Sequence, residues 1–458
     1  MKNQSLLQKN NTNSVGLPPP LAKGLPILGN ALGLAGSDIN AFLRNKYLES
    51  GPIYRISALN KQFVVFAGQE ANLFFAKEGA KYFSSNDVWQ SFKEDLGASK
   101  IIASEDGYIH TKLRNLQQSG YSHIWLEKQL DRAVAIVRQE IANWSTVKPL
   151  SVFYLMQRIV IQQIGFLLTN YSPHDYVDDL ISFSKNVLTT NLLKRPKFLT
   201  YYPAKRAKAR VFELVEKVMD IHADELKDNR EPDLIDDLLQ FIEQEPEFLG
   251  SHADKALVAM GPFMGAVDTV AGTTSFMLYA LFKHPDILER AILEAKSLFA
   301  NGIPTPNSLK SLDVLHRTIL ETLRMYPTVP VLPRTVTADF EFMGYQLKAG
   351  ETALIATTVP HHLPEFYPNP FKFDIDRYTK DRAEHLQPGV FAPFGLGPHT
   401  CIAKNLALAL IPFNVATILQ AVSLSMFPTN YELRLNPIPM PSPDTNFKVR
   451  IIEKFGQK

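Results

Sequence analysis

A chain of 458 residues that is 45% hydrophobic and 21% charged can bury a large core and is too apolar to be intrinsically disordered. Its 48 Lys and Arg stand against 46 Asp and Glu, and a net charge of +2 excludes nucleic acid or another polyanion as the main partner. One cysteine excludes an intramolecular disulfide and fits a reducing cytoplasm.

Residues 1–17 read as a polar, Asn-rich flexible leader with no apolar run long enough to span a bilayer. Pro18-Pro19-Pro20 and Gly24-Leu25-Pro26-Ile27-Leu28-Gly29-Asn30 then predict a stiff hinge over 18–30. Asp38 to Ser50 reads as a short helix. Ile53 to Ser57 and Phe63 to Phe66 alternate as strands and form a hairpin across Ala58 to Gln62. Helical patterns dominate from Gln69 to Tyr326, broken at Tyr201-Tyr202-Pro203 and Asn301-Gly302-Ile303-Pro304. Among them, Ser251-His252-Ala253-Asp254 predicts a capping box that opens one long, buried helix reaching Lys283, where His284-Pro285 stops it. At about 1.5 Å per residue that helix would be roughly 45–50 Å long. Strand signals return at Thr335 to Leu347 and Thr352 to Thr358. A proline-dense coil follows from Pro360 to Pro393, then a helix after Cys401 and a strand-like tail. No internal repeat or low-complexity linker divides the chain. The pattern is mainly α with a minor β part.

The densest chemical signal is Phe394-Gly395-Leu396-Gly397-Pro398-His399-Thr400-Cys401. Its glycines allow left-handed turns and the close backbone approach that a bulky planar ligand needs. Backbone N–H groups in so tight a loop can hold the sulfur as a thiolate, and the start of the following helix favours negative charge. A thiolate held in this way is an axial ligand of haem. The stretch resembles the cysteine-ligand loop of the cytochrome P-450 family, F-G-x-G-x-(H/R)-x-C-x-G. Phe394, Gly395, Gly397, His399 and Cys401 match, and Ala403 stands where the family has glycine. The resemblance covers roughly Pro18 to Ile452. It implies the cytochrome P-450 fold: one large triangular domain over 18–458 with a long central helix above the haem.

Further segments extend the resemblance. Gly265-Ala266-Val267-Asp268-Thr269 is similar to the family's (A/G)-G-x-(D/E)-T. There the small Ala266 leaves room above the cofactor, and Asp268 and Thr269 would relay protons. On physical grounds a buried Asp268 needs a partner or a function, and Thr269 can hydrogen-bond back to the Gly265 carbonyl. Ala271-Gly272-Thr273-Thr274 is a competing register without an acid. Glu321 and Arg324 share one helix face, which alone is most often a solvated pair. They resemble the family's E-x-x-R, which Arg377 would complete as a structural triad. His110, Arg114, Arg334 and His399 match the positions that meet the haem propionates. Substrate contacts, by family position, would come from Trp89, Phe92, Ile102, Phe263, Met264, Val329, Val331 and Leu332. Their apolar character favours an apolar substrate. Lys194 to Tyr202 matches the access lid, either a solvated lid or a weak peripheral membrane contact.

The function so implied is a haem-thiolate monooxygenase carrying haem b (iron protoporphyrin IX) and acting on a terpenoid, steroid or fatty acid. NAD(P)H electrons would arrive through a separate ferredoxin or flavodoxin-type partner, steered to a basic face of Lys112, Lys128 and Lys404. A peroxygenase, a hydroperoxide isomerase or dehydratase, and a non-catalytic haem sensor are the alternatives on the same fold. A cytoplasmic monomer without a transmembrane anchor is expected.

Overall fold

The computed structural model describes residues 16–191, 201–225 and 232–455. The leader up to residue 15 and the lid stretch 194–200 lie outside them, as do the side chains of Tyr201 and Tyr202. Helix accounts for 54% of the described residues and strand for 13%, the mainly α balance that the sequence pattern predicts. The chain divides into two compact units. One comprises residues up to Gln90 with Ala103–Ile109 and Val329–Cys401; the other comprises Ser91–Ile102, His110–Thr328 and Ile402–Lys458.

The first unit is built on a five-stranded sheet ordered Ile53–Ala58, Lys61–Ala67, Thr352–Ala356, Leu332–Val336 and Phe83–Ser84. Its first two strands form the predicted hairpin, closed at Leu59-Asn60 with Leu59 in the left-handed region (φ 55°). The strand Lys61–Ala67 then pairs in parallel with Thr352–Ala356, which Leu332–Val336 joins antiparallel. One face packs Phe66, Phe75, Phe83, Val336 and Phe340 into an aromatic cluster. Because side chains alternate along a strand, Arg334 enters the sheet on the same face as Val336. Beyond the sheet, a coil leads to Cys401 and is pinned by side chains rather than by regular structure. Fully buried Asn72, on the helix Gln69–Tyr82, donates to the carbonyls of Thr357 and Gly389, both at 2.8 Å.

The second unit is helical, with a small sheet ordered Leu150–Ser151, Lys448–Lys454, Val422–Phe427. Val152–Thr169 is apolar nearly all round and almost wholly buried. Its Gln163 exchanges reciprocal amide hydrogen bonds with Asn414 on the helix Lys404–Ala421, at 2.8 and 2.7 Å. Among the described residues, three stretches have the length and apolarity of membrane spans: Val152–Thr169, His252–Lys283 and Lys404–Ala421. Between 61% and 78% of their most apolar windows is buried inside the protein, so this apolarity serves the core.

The long helix differs from the sequence expectation. It consists of His252–Ala266 and Thr269–Lys283, interrupted at Val267 and Asp268. Pro262 lacks the N–H that the preceding turn would use. The Thr269 hydroxyl, as predicted, donates to the Gly265 carbonyl at 2.6 Å and so competes with the ladder. A new ladder begins where Gly272 N–H donates to Asp268 O at 2.9 Å. The capping box is also incomplete. Ser251 accepts from the Asp254 N–H at 3.0 Å, but the Asp254 carboxylate accepts from the N–H groups of Ser99 and Lys100 and from the Ser99 hydroxyl. Long-range donors have outbid the local return bond.

Candidate functional site

Cys401 is an exposed cysteine outside any disulfide, at the end of a loop whose path is set by two left-handed glycines, Gly395 (φ 74°) and Gly397 (φ 72°). A side chain at either would be strained by that backbone alone. A Cβ on Gly395 would also stand 3.4 Å from Leu332 Cδ1. The Cys401 N–H donates to the Phe394 carbonyl at 2.9 Å, which folds the loop back on itself. Three residues on, Lys404 opens the next helix with Ala403 as its cap, so the sulfur lies just ahead of a helix N-terminus.

In the same unit Arg334 is buried, its guanidinium 5.8 Å from the centre of the Phe75 ring and its Nη1 donating to the Pro333 carbonyl at 2.7 Å. Burial pushes its pKa down to about 10, against a weaker pull from Asp106. Among the described residues this buried cation meets one neutral carbonyl, a ring face and the weaker pull of Asp106, an environment that suits a further anionic group. His399 places Nε2 3.0 Å from Asp106 Oδ1 and 3.4 Å from the Ser85 hydroxyl. Burial raises the Asp106 carboxyl, but hydrogen bonds from His399 and Ser84 outweigh it and hold it below the usual carboxylate range. Asp106 was not legible as a site residue, because only the folded chain brings it to His399. An open thiol, side-chain-free turns and a buried arginine are a donor set that fits haem: a ligand for the iron, clearance for a flat ring and a cation for a propionate.

In the helical unit Asp268 is buried with both carboxylate oxygens engaged. Gln157 Nε2 donates at 3.0 Å and the Ser184 hydroxyl at 2.7 Å. Burial pushes the carboxyl up, and these two neutral donors only partly offset it. The sequence demanded a partner for this acid without naming one, since Gln157 and Ser184 lie on two other helices. Thr269 and Met264 are half-buried, Gly265 is exposed, and Ala266 and Phe263 are buried. Phe263 packs close to Gly165, where a Cβ would come within 2.9 Å of its ring. In the competing register, Thr273 and Thr274 are buried and donate to the carbonyls of Thr269 and Val270.

Glu321 and Arg324 are completely buried in the helix Asp313–Met325 and form a two-pronged pair, both contacts 2.7 Å. Arg377 belongs to the other unit, where it is also fully buried. It binds Glu384 at 2.8 Å and the carbonyls of Asn369 and Lys372. Glu384 in turn binds Arg382, which reaches Asp374 at 2.9 Å. His110 is buried and Arg114 half-buried on the helix Gly107–Gln118. Of the substrate positions, Phe92 is buried, whereas Trp89, Ile102, Val329, Val331 and Leu332 are half-buried. Of the three lysines expected on a docking face, Lys112 is engaged by Glu245 and lies over Phe248, and Lys128 lies over the Trp125 ring. Lys404 is exposed.

The fold and the loop together define a helical haem protein of the cysteine-loop class. The chain belongs to the cytochrome P450 family, whose model, "Cytochrome P450", matches residues 18–449. Among its relatives, a putative cytochrome P450 120 from Synechocystis is 25% identical, covering 96% of this chain and 98% of its own. Abscisic acid 8'-hydroxylase 4 of Arabidopsis thaliana is 24% identical over 88% of this chain and 86% of its own. The cytochrome P450DA heme domain shares the fold with a TM-score of 0.83 at 20% identity, covering 96% of this chain and 98% of that one. Retinoic acid-bound cyanobacterial CYP120A1 does so with 0.81 at 22%, covering 96% and 100%. The chain is thus a cytochrome P450 monooxygenase, of a family that binds haem iron and acts on apolar substrates.

Proposed function

We propose that this P450 inserts one oxygen atom from O2 into an apolar small molecule of terpenoid, steroid or fatty-acid type, with Cys401 as the ligand of the haem iron. The observation that carries this reading is the exposed thiol at the end of the Gly395–Gly397 turns. Bound haem supplies the oxygen activation. Arg334 offers its buried charge to a propionate, His110, Arg114 and His399 serve the same end, and Asp106 orients the His399 ring. Asp268, held as an acid of raised pKa, and the half-buried Thr269 hydroxyl deliver protons. Half-buried apolar side chains in each unit favour a substrate that is largely hydrocarbon. The relative named as an abscisic acid hydroxylase and the fold neighbour bound to retinoic acid point toward the isoprenoid end of that range. Electrons come from a separate ferredoxin or flavodoxin-type protein with its NAD(P)H-dependent reductase.

The test is the reduced, CO-bound spectrum. A red-shifted, thiolate-type Soret band is expected for the wild type, and Cys401→His should move it to the imidazole position. An unchanged spectrum in that variant refutes the ligand assignment.

A further inference from the structure

His361 lies in the short turn Val359–His362, and the reaction just described gives it no role. Its ring is fully buried and stacks on Phe391, with centroids 5.3 Å apart and planes 25° from parallel. The Ala392 N–H donates to its Nε2 at 3.1 Å. A ring nitrogen that accepts a hydrogen bond carries no proton, so the imidazole is the neutral Nδ1–H tautomer. Ala392 begins the turn sequence that ends at Cys401. Its carbonyl accepts from the Gly395 N–H at 3.3 Å, and the Phe394 carbonyl accepts from the Cys401 N–H at 2.9 Å. The imidazole therefore fixes one end of a hydrogen-bonded loop whose other end carries the sulfur. The two partners are 31 residues apart, and no local turn can replace their contact.

We propose that His361 is a positioning residue for the cysteine loop: its Nε2 anchors the Ala392 N–H and thereby sets where the loop presents the Cys401 sulfur. The proposal rests on Cys401 being the haem ligand. What the ring supplies is an acceptor as well as a shape, because a buried backbone N–H left without one is costly. Glutamine offers a carbonyl oxygen in its place. Methionine fills a similar volume with only a weak acceptor.

The experiment compares wild-type holoenzyme with H361Q and H361M by residue-resolved hydrogen exchange over 390–401 and by the reduced CO spectrum. The Ala392 amide should exchange slowly in the wild type and about tenfold faster, or more, in H361M. H361M should also lose part of its thiolate-type Soret band, and H361Q should return both readouts toward wild type. Rapid exchange of Ala392 in the wild type overturns the proposal. So does an H361M protein with wild-type exchange and spectrum, or an H361Q protein no better than H361M. Should H361M yield no holoenzyme, slow Ala392 exchange in both wild type and H361Q supports the anchor, and fast exchange in either overturns it. A wrong ligand assignment shows itself separately, as a CO spectrum that Cys401→His leaves unchanged.

Discussion

Glu321→Ala should be among the most damaging single changes outside the cysteine loop. Both members of the Glu321–Arg324 pair are 0% exposed, and the carboxylate meets the guanidinium through two contacts of 2.7 Å. Removing the carboxylate takes a two-pronged charge partner from a buried guanidinium, at a typical cost of about 3–5 kcal/mol. That is a large share of the roughly 5–15 kcal/mol that keeps a domain folded. For a unit of this size each kcal/mol lowers the unfolding midpoint by about 2–4 °C, so the expected fall is about 6–20 °C. The assay is thermal unfolding followed by far-UV circular dichroism, alongside the yield of haem-loaded protein. A control separates charge from packing. The double variant Glu321→Leu with Arg324→Leu removes both charges together and should lose less than either single change, because a buried pair often does no better than apolar residues of like volume. A Glu321→Ala protein with a wild-type midpoint and full haem loading refutes the burial argument.

Two further outcomes follow from the remaining titratable groups. Burial holds the Arg334 pKa down to about 10, so its charge is unfavourable where it sits, and the more distant Asp106 offsets this only in part. Arg334→Leu should therefore leave the haem-free protein as stable as wild type or more so while weakening haem retention; equal haem retention in competition with apomyoglobin would disprove the propionate role. Asp268 has its pKa raised by burial, so the folded chain keeps a proton that the unfolded chain releases above about pH 4. Its contribution is fully present at low pH and is lost as pH rises through the raised folded value. The stability of wild type relative to Asp268→Asn should fall across that window, and a flat difference between pH 4 and 8, read as midpoints of thermal unfolding, would contradict the assignment.

What was legible in the sequence is local, and what was not depends on residues far apart in the chain. The hairpin at Ile53–Ala67 follows from alternation of apolar residues, and the cysteine loop from glycines whose positive φ only they adopt without strain. The Thr269–Gly265 bond follows from the reach of a threonine over one helical turn, yet its consequence was missed. With Pro262 upstream, it interrupts what periodicity alone reads as one helix. The partners of several carboxyl groups were also missed, since neither spacing nor composition encodes them. Asp254 takes Ser99 and Lys100 across more than 150 residues; Asp268 takes Gln157 and Ser184; Asp106 takes His399. Lys112, expected on an open docking face, is engaged by Glu245. The physical reason is plainest for the two buried ones, Asp254 and Asp268. A buried polar group is tolerated only when it is satisfied, and the fold is free to satisfy it with whichever donor the topology brings near. Sequence therefore announces that such a residue needs a partner, and only the folded chain names it. For Cys401 the consequence is direct: the motif identifies the sulfur, but its placement depends on Asn72, His361 and Arg377, residues 24 to 329 positions away that hold the coil through Gly389, Ala392 and Glu384.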